Sequence, residues 1–545
     1  MKEIYLTWLK NCEQEQELYQ ELIAIKDLEG EVSDRFFREL AFGTGGLRGK
    51  IGAGTNRMNI YSVGRVTRGL AKYILNNGIK KSVVIAYDSR NKSKEFATIV
   101  SQILSQNGIE AYLFSELMPT PVLSFAVRKL QAGMGIVITA SHNPKAYNGY
   151  KVYNENGCQI TDLVAQQISA EIEKCSYFDL IVANDEKIHL LGDEILNEFL
   201  LEIRRYSFLG QINDAPKIVY TPLNGTGNVP IKKLFQVLGI DDYLVVPQQE
   251  NPDANFTTCP RPNPEEKDAL LLAIELAKKE GAELVIATDP DADRVGIAVR
   301  DGADFTLLNG NETGVLLAEY IFENLTQSNK MPDKAYMVKT IVTTDLVKKI
   351  ACKYSVSLKE VLTGFKYIGE TIDCAIGENY VYGMEESYGY LVGTHARDKD
   401  AISAVMSIVE MVTYYKRKGL SLIEKLNDIY ETYGYYTTSL YSKTFEGQSG
   451  MFFMESFMKN LREQPLTEVC GKKIVRIKDY SLGLDGLLKS NVISYFSEDF
   501  SLIIRPSGTE PKMKVYITAQ AETKKDSLTL LGALEQEVEN LLGKN

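Results

Sequence analysis

The sequence predicts a multi-domain α/β protein, and three observations carry that reading. At 545 residues the chain is too long for one hydrophobic core, so about three to five domains are expected. Short apolar runs end at polar or glycine-rich turns, as strands buried on both faces do. Helical patterns alternate with those runs, which argues for α/β units with largely parallel sheets.

In chain order, Ser82–Tyr87 (SVVIAY) reads as the first such strand, followed by a helix over Glu95–Asn107. Gly135–Thr139, Lys217–Tyr220 and Glu283–Thr288 read as further strands, with a helix over Glu265–Glu280 before the last. The tail Ser527–Leu542 reads as an amphipathic helix covering the final sheet. Turn signals at Arg204–Pro216 and Asn309–Gly314, and the tyrosine-rich Tyr433–Ser439, are placed as domain joints. Ligands of such sheets collect at the carboxyl ends of strands.

Apolar residues make up 44% and charged residues 24%, the proportions of an ordinary globular protein. Met1 to Gln20 carries four glutamates and no uninterrupted apolar run, so neither a secretory signal nor a membrane span is expected. The seven cysteines are scattered and never spaced as C-x-x-C, which fits a reducing cytoplasm. A net charge of −11 without a basic tract argues against nucleic acid. An anionic small substrate then requires a local basic cluster.

Four segments offer chemistry. Thr139-Ala-Ser-His-Asn-Pro-Lys145 with Tyr147-Asn-Gly-Tyr-Lys151 places Ser141 right after a strand, on a loop expected to be exposed and to turn at Asn-Pro and Asn-Gly. Serines fill such turns by default, but His142, Lys145 and Lys151 crowd this one. No G-x-S-x-G elbow surrounds Ser141, so a protease-type triad is disfavoured. Thr288-Asp-Pro-Asp-Ala-Asp-Arg294 sets Asp289, Asp291 and Asp293 at alternate positions of a tight loop, an oxygen site for a hard divalent cation. Arg294 and Arg300 stand where a calcium EF-hand needs Gly and Glu, and three histidines leave little for zinc; magnesium fits best.

Gly383-Met-Glu-Glu-Ser-Tyr-Gly389 suits hydrogen bonds to neighbouring sugar hydroxyls, or equally an acidic surface turn. Arg505-Pro-Ser-Gly-Thr-Glu-Pro511, followed by Lys512 and Lys514, reads as a phosphate cradle rather than a Walker A loop. Two glycine segments, Phe42–Gly49 and Asn224–Gly227, fail G-x-G-x-x-G because Arg48 and Pro230 stand at the final glycine, so a dinucleotide site is disfavoured.

In this order the motifs resemble the α-D-phosphohexomutase superfamily, closest to its phosphoglucomutase and phosphopentomutase-like branch. Phe42–Gly49 (FGTGGLRG) and Leu362-Thr-Gly-Phe-Lys-Tyr-Ile-Gly369 add to the resemblance, which spans residues 42 to 516. It implies four domains around a central cleft: three mixed-sheet α/β domains and a smaller C-terminal α+β domain. The expected bounds are 1–210 (phosphoserine), 211–310 (metal), 311–435 (sugar) and 436–545 (phosphate).

The resemblance further implies that Ser141 carries a phosphoryl group beside Mg²⁺ held by Ser141, Asp289, Asp291 and Asp293. Arg48, Lys151 and Arg294 would surround that phosphoryl, and His142 would stand behind it or handle a proton. Thr363, Gly364, Glu385, Ser387, Lys399, Arg505, Ser507, Gly508 and Thr509 would bind the substrate. The implied reaction moves phosphate between the 1- and 6-positions of a sugar through a bisphosphate, with glucose 1,6-bisphosphate as primer. Tyr388-Gly389 replaces the histidine of mannose-tolerant relatives and favours glucose. A phosphopentomutase, a glucose 1,6-bisphosphate synthase and a non-enzymatic phosphosugar sensor are the alternatives. The intact set of Ser141, the three aspartates and Arg294 speaks against the sensor.

Overall fold

The computed structural model describes residues 1–43, 45–179, 183–445, 447–507 and 512–543. The architecture is multi-domain α/β, with three α/β sheet regions and a more β-rich C-terminal region. The chain divides into two compact units: residues 1–309, 368–376 and 388–413 form one, and 310–367, 377–387 and 414–545 the other.

The first sheet holds β1 (Leu47–Lys50), β2 (Ser82–Tyr87), β3 (Glu110–Phe114), β4 (Met134–Ile138), β5 (Tyr147–Tyr153) and β6 (Ile188–Leu191), in the order β1-β5-β4-β2-β3-β6. Every residue of β2 and β4 is buried, which explains their unbroken apolar sequence. Helix Ile60–Asn76 packs on this sheet and starts at a capping box. There Asn59 accepts the N–H of Ser62, and the Ser62 hydroxyl accepts that of Asn59. The second sheet is β11-β10-β9-β7-β8, from β7 (Ile218–Thr221), β8 (Tyr243–Val245), β9 (Leu284–Thr288), β10 (Val295–Asp301) and β11 (Asp304–Leu308).

These sheets are less parallel than the sequence suggests. β5 runs antiparallel to β4, and β10 antiparallel to β9. The Ser141 and Asp289 loops are therefore hairpin connections at the carboxyl ends of central strands. Their residues are committed to side-chain chemistry and carry no ordinary hairpin signature. Asn148-Gly149, expected as a turn, lies inside β5. A Cβ on Gly149 would stand 2.5 Å from the Thr139 carbonyl oxygen, so the glycine serves close strand approach.

In the other unit, β12 (Ala335–Thr340) runs parallel to both β13 (Ser357–Val361) and β14 (Asn379–Glu385). The strand β15 (Gly389–Val392) belongs to the first unit. The C-terminal region contains β16 (Tyr435–Thr444), a short hairpin of β17 (Glu468–Val469) and β18 (Lys472–Lys473), then β19 (Arg476–Asp479), β20 (Ile493–Phe496), β21 (Phe500–Pro506) and β22 (Lys512–Ala521). Its sheet, β16-β22-β21-β20-β19, is antiparallel throughout. Leu534 and Val538 of helix Lys524–Leu541 pack into its core with Leu502 and Val515. No described helix is long and apolar enough to cross a membrane.

Sequence reading gives no account of three N-terminal helices, Lys2–Asn11, Gln16–Ala24 and Glu29–Phe36. They close around Trp8, which is 1% exposed and meets Phe36, Tyr61, Tyr177 and Phe178 edge-on or tilted at 5.3–5.9 Å.

Candidate active site

Ser141 follows β4 and is 3% exposed; the loop is exposed as expected at Pro144–Ala146, but Ser141 itself is buried. Burial comes from the aspartate loop: the Ser141 hydroxyl donates to Asp289 Oδ2 at 2.8 Å. The Ser141 backbone is left-handed, φ 51°. His142 Nδ1 lies 3.3 Å from Ser141 Oγ. Burial, followed by the charges of Arg294 and Arg48, pushes the His142 imidazole well below its ordinary pKa. It is neutral at pH 7, able to accept or pass a proton.

Asp289, Asp291 and Asp293 follow β9, are at most 1% exposed, and hold carboxylate oxygens within 4.8 Å of one another. Each has at least one oxygen fixed by donors. Asp289 Oδ1 accepts the backbone N–H of Asp293 and of Arg294, both at 3.1 Å. Asp291 Oδ2 accepts from Lys151 Nζ (2.7 Å) and the Thr120 hydroxyl (2.9 Å). Asp293 Oδ2 lies 3.3 Å from Lys151 Nζ and 3.2 Å from Lys399 Nζ. Among the described residues, the buried Oδ1 atoms of Asp291 and Asp293 have no hydrogen-bond partner. Buried acceptors without donors, on an all-oxygen set, fit a hard divalent cation such as Mg²⁺.

The electrostatics agree with that fit. Burial, then the charges of Asp291 and Asp293, raises the Asp289 carboxyl well above the usual carboxylate range. Burial opposes ionisation of Asp293 too, but Lys399, Lys151 and Arg294 outweigh it and hold its pKa down. For Lys151 the two carboxylates more than offset the burial that disfavours its charge. A metal-free triad is thus tolerated through lysine counter-charges and one proton-prone carboxyl.

Arg48, on β1, donates to Asn143 Oδ1 at 2.8 Å and is electrostatically coupled to Asp291 and Asp293. Arg294 donates to Glu265 at 2.5 Å. Lys399, expected at a substrate phosphate, is placed on the triad. Thr120 carries no signal in the sequence and Asn143 reads there only as a turn residue; the fold brings both side chains to the site. Asn224–Gly227 packs beneath the aspartate loop. The Thr226 N–H donates to the Pro290 carbonyl at 2.8 Å, and a Cβ on Gly225 would stand 2.4 Å from Pro290 Cα.

The second unit brings other expected residues together. Glu385 Oε1 accepts the Gly364 N–H at 2.9 Å, beside Thr363, whose buried hydroxyl oxygen has no hydrogen-bond partner. Ser387 follows at the end of the same segment, half-buried. Glu386 accepts from the hydroxyls of Thr340 and Thr343, each at 3.2 Å. Arg505, at the end of β21, donates through Nη2 to the Tyr516 hydroxyl at 3.2 Å, while its buried Nε has no hydrogen-bond partner among the described residues. Tyr516 also shares an apolar cluster with Leu362, the residue before Thr363. Ser507 is described; Gly508 and Thr509 lie outside the described residues.

Three family profiles match successive stretches of the chain. Phosphoglucomutase/phosphomannomutase, alpha/beta/alpha domain I, matches residues 39–178, domain II residues 198–302 and domain III residues 309–433. The phosphoglucomutase of Staphylococcus saprophyticus is 38% identical over 508 residues, 89% of this chain and 91% of the relative. That of Staphylococcus aureus strain MRSA252 is 36% identical over 532 residues, 94% of each chain. Among solved structures, a phosphoglucomutase/phosphomannomutase family protein from Burkholderia thailandensis superposes with TM-score 0.69 at 17% identity, over 92% of this chain and 96% of that one. The open form of parafusin from Paramecium gives TM-score 0.68 at 18% identity over the same shares, a likeness of fold.

Proposed function

The chain belongs to the phosphoglucomutase/phosphomannomutase family and is a phosphosugar mutase, and from that premise we propose that it interconverts glucose 1-phosphate and glucose 6-phosphate through Ser141. The observation that carries the reading is the 2.8 Å contact of the Ser141 hydroxyl with Asp289, inside a buried carboxylate triad. A hydroxyl held there is placed to carry a phosphoryl group. The substrate follows from the phosphoglucomutase relatives and from Glu385 and Ser387 in the sugar loop.

In this reading Asp289, Asp291, Asp293 and the phosphoryl oxygens on Ser141 would hold Mg²⁺, which supplies positive charge against the transferring phosphoryl. Arg48, Lys151 and Arg294 supply the remaining neutralisation, and Lys399 joins them through Asp293. Phosphoryl transfer has a loose transition state, so such positioning and neutralisation provide most of the rate. The Ser141 O–P bond breaks as one forms to the free sugar hydroxyl, giving glucose 1,6-bisphosphate. That compound turns end for end and returns its other phosphate to Ser141. The sugar hydroxyl loses a proton as the Ser141 oxygen gains one, and His142, with Nδ1 3.3 Å from Ser141 Oγ, relays it. Thr363, Gly364, Glu385 and Ser387 bind the sugar. Arg505, Ser507, Gly508 and Thr509 grip the phosphate that is not reacting. Added glucose 1,6-bisphosphate primes unphosphorylated protein.

We assign these roles to four domains at residues 1–210, 211–310, 311–435 and 436–545, and place the protein in the cytoplasm, where seven scattered cysteines never spaced as C-x-x-C stay reduced. Turnover of the 1-phosphates of glucose, mannose, N-acetylglucosamine and ribose with Mg²⁺ tests the substrate. Glucose is expected to give the highest kcat/KM; a preference for ribose moves the protein to the pentomutase reading.

A further inference from the structure

Two residues after β2, Asp88 and Arg90, are tied by several hydrogen bonds to the Ser141 loop and its flanks. The Arg90 guanidinium donates to the carbonyls of Ser141 and Asn143 through Nη2, and to those of Pro144 (3.0 Å) and Tyr147 (3.2 Å) through Nη1. Its Nε lies 3.2 Å from Asp88 Oδ2, with both side chains wholly buried. The guanidinium also sits 4.9 Å from the centre of the Phe256 ring.

Asp88 completes the frame from the other side. Its Oδ2 accepts from the Thr139 hydroxyl at 2.7 Å, and that oxygen in turn accepts the Ser141 N–H at 2.8 Å. Asp88 Oδ1 accepts from the Ser93 hydroxyl at 2.7 Å and the Arg90 N–H at 2.9 Å. The loop is thus gripped at both backbone groups of Ser141: its N–H through Thr139, its carbonyl by Arg90. Those groups flank the positive φ that a serine seldom adopts and that sets the direction of Oγ.

We propose that Asp88 and Arg90 are positioning residues for phosphoryl transfer, a buried ion pair that holds Ser141 in its left-handed conformation and so aims its oxygen at the transferring phosphoryl. A planar five-donor guanidinium can span four carbonyls; a lysine ammonium is a single point charge and cannot. The grip is on backbone, so it orients the nucleophile without contributing to substrate binding. The proposal rests on Ser141 being the phosphoryl carrier.

The test is Arg90→Lys in the full chain, read by rapid-quench phosphorylation of Ser141 from glucose 1,6-bisphosphate and by steady-state kinetics. A misplacement of about 1 Å can cost on the order of 100-fold in rate. Phosphoryl transfer and kcat should fall by about that factor, while KM does not rise. Thr139→Val, which removes the acceptor of the Ser141 N–H and its link to Asp88, carries the same test if Arg90→Lys does not fold, with the same separation of kcat from KM expected. Transfer within threefold of wild type, or a rise in KM at unchanged kcat, overturns the clamp while leaving Ser141 as carrier. Wild-type protein that accepts no phosphoryl at Ser141 overturns both.

Discussion

Replacing Lys151 by Met tests how the carboxylate triad is neutralised. Lys151 Nζ stands 2.7 Å from Asp291 and 3.3 Å from Asp293, with its side chain 8% exposed and its partners at most 1%. One ion pair at about 4 Å in an effective dielectric of about 20 is worth about 4 kcal/mol. Removing one partner of a buried pair costs about 3–5 kcal/mol, because the remaining charge stays buried. Methionine keeps the apolar stem, so lost packing adds little. At about 2 °C per kcal/mol for a large domain, the first unfolding transition in EDTA should drop by about 6–10 °C. Saturating Mg²⁺ restores the lost positive charge at the same carboxylates, so the deficit should shrink to less than half. Differential scanning calorimetry of both proteins, with EDTA and with Mg²⁺, measures this directly. An equal deficit under both conditions would refute the idea that Lys151 and the cation neutralise the same charge.

Three further outcomes are expected. Arg505→Ala should lose about 1.5–3 kcal/mol of phosphate binding, about 10- to 150-fold in kcat/KM, mainly through KM, and should depend more on added glucose 1,6-bisphosphate; equal dependence in both proteins contradicts the assignment. Ser141→Ala should lower mutase activity by several orders of magnitude without loss of fold, since one hydroxyl contributes little to stability; residual activity above about a tenth contradicts the covalent route. Asp345 is held down to about 2, because the charges of Lys339 and Lys348 outweigh the burial that opposes its ionisation. Its stabilising effect is therefore present above its ordinary pKa of 3.8 and lost as pH falls towards about 2. Asp345→Asn should destabilise at pH 7 and much less near pH 2.5 by urea denaturation; an unchanged difference contradicts the pairing.

Much of this was legible in sequence, for identifiable reasons. Buried strands such as Ser82–Tyr87 announce themselves by unbroken apolar runs, and the chemistry-bearing loops sit at their ends. Alternating aspartates after β9 signal a cation site because little else justifies that charge density. The antiparallel turn-back after Ser141 was hidden, since its loop is spent on side-chain function and Gly149 marks close packing rather than a turn. The N-terminal helices carry little signal because they are short, eight to ten residues each, and Trp8 finds partners far along the chain. Arg90 is one residue in a short Asp-Ser-Arg turn, and its four carbonyl partners come from the fold alone. Tyr516 likewise gains meaning only when β21 and β22 pair.

The central claim is that Ser141 carries the phosphoryl group between substrate and product. Protein labelled with radioactive phosphate, mapped by peptide mass spectrometry and then mixed with glucose 6-phosphate for a single turnover, tests it most directly. The account predicts label on Ser141 alone, transferred to glucose 1,6-bisphosphate and glucose 1-phosphate. Label on another residue, or its release as inorganic phosphate without sugar bisphosphate, would contradict it.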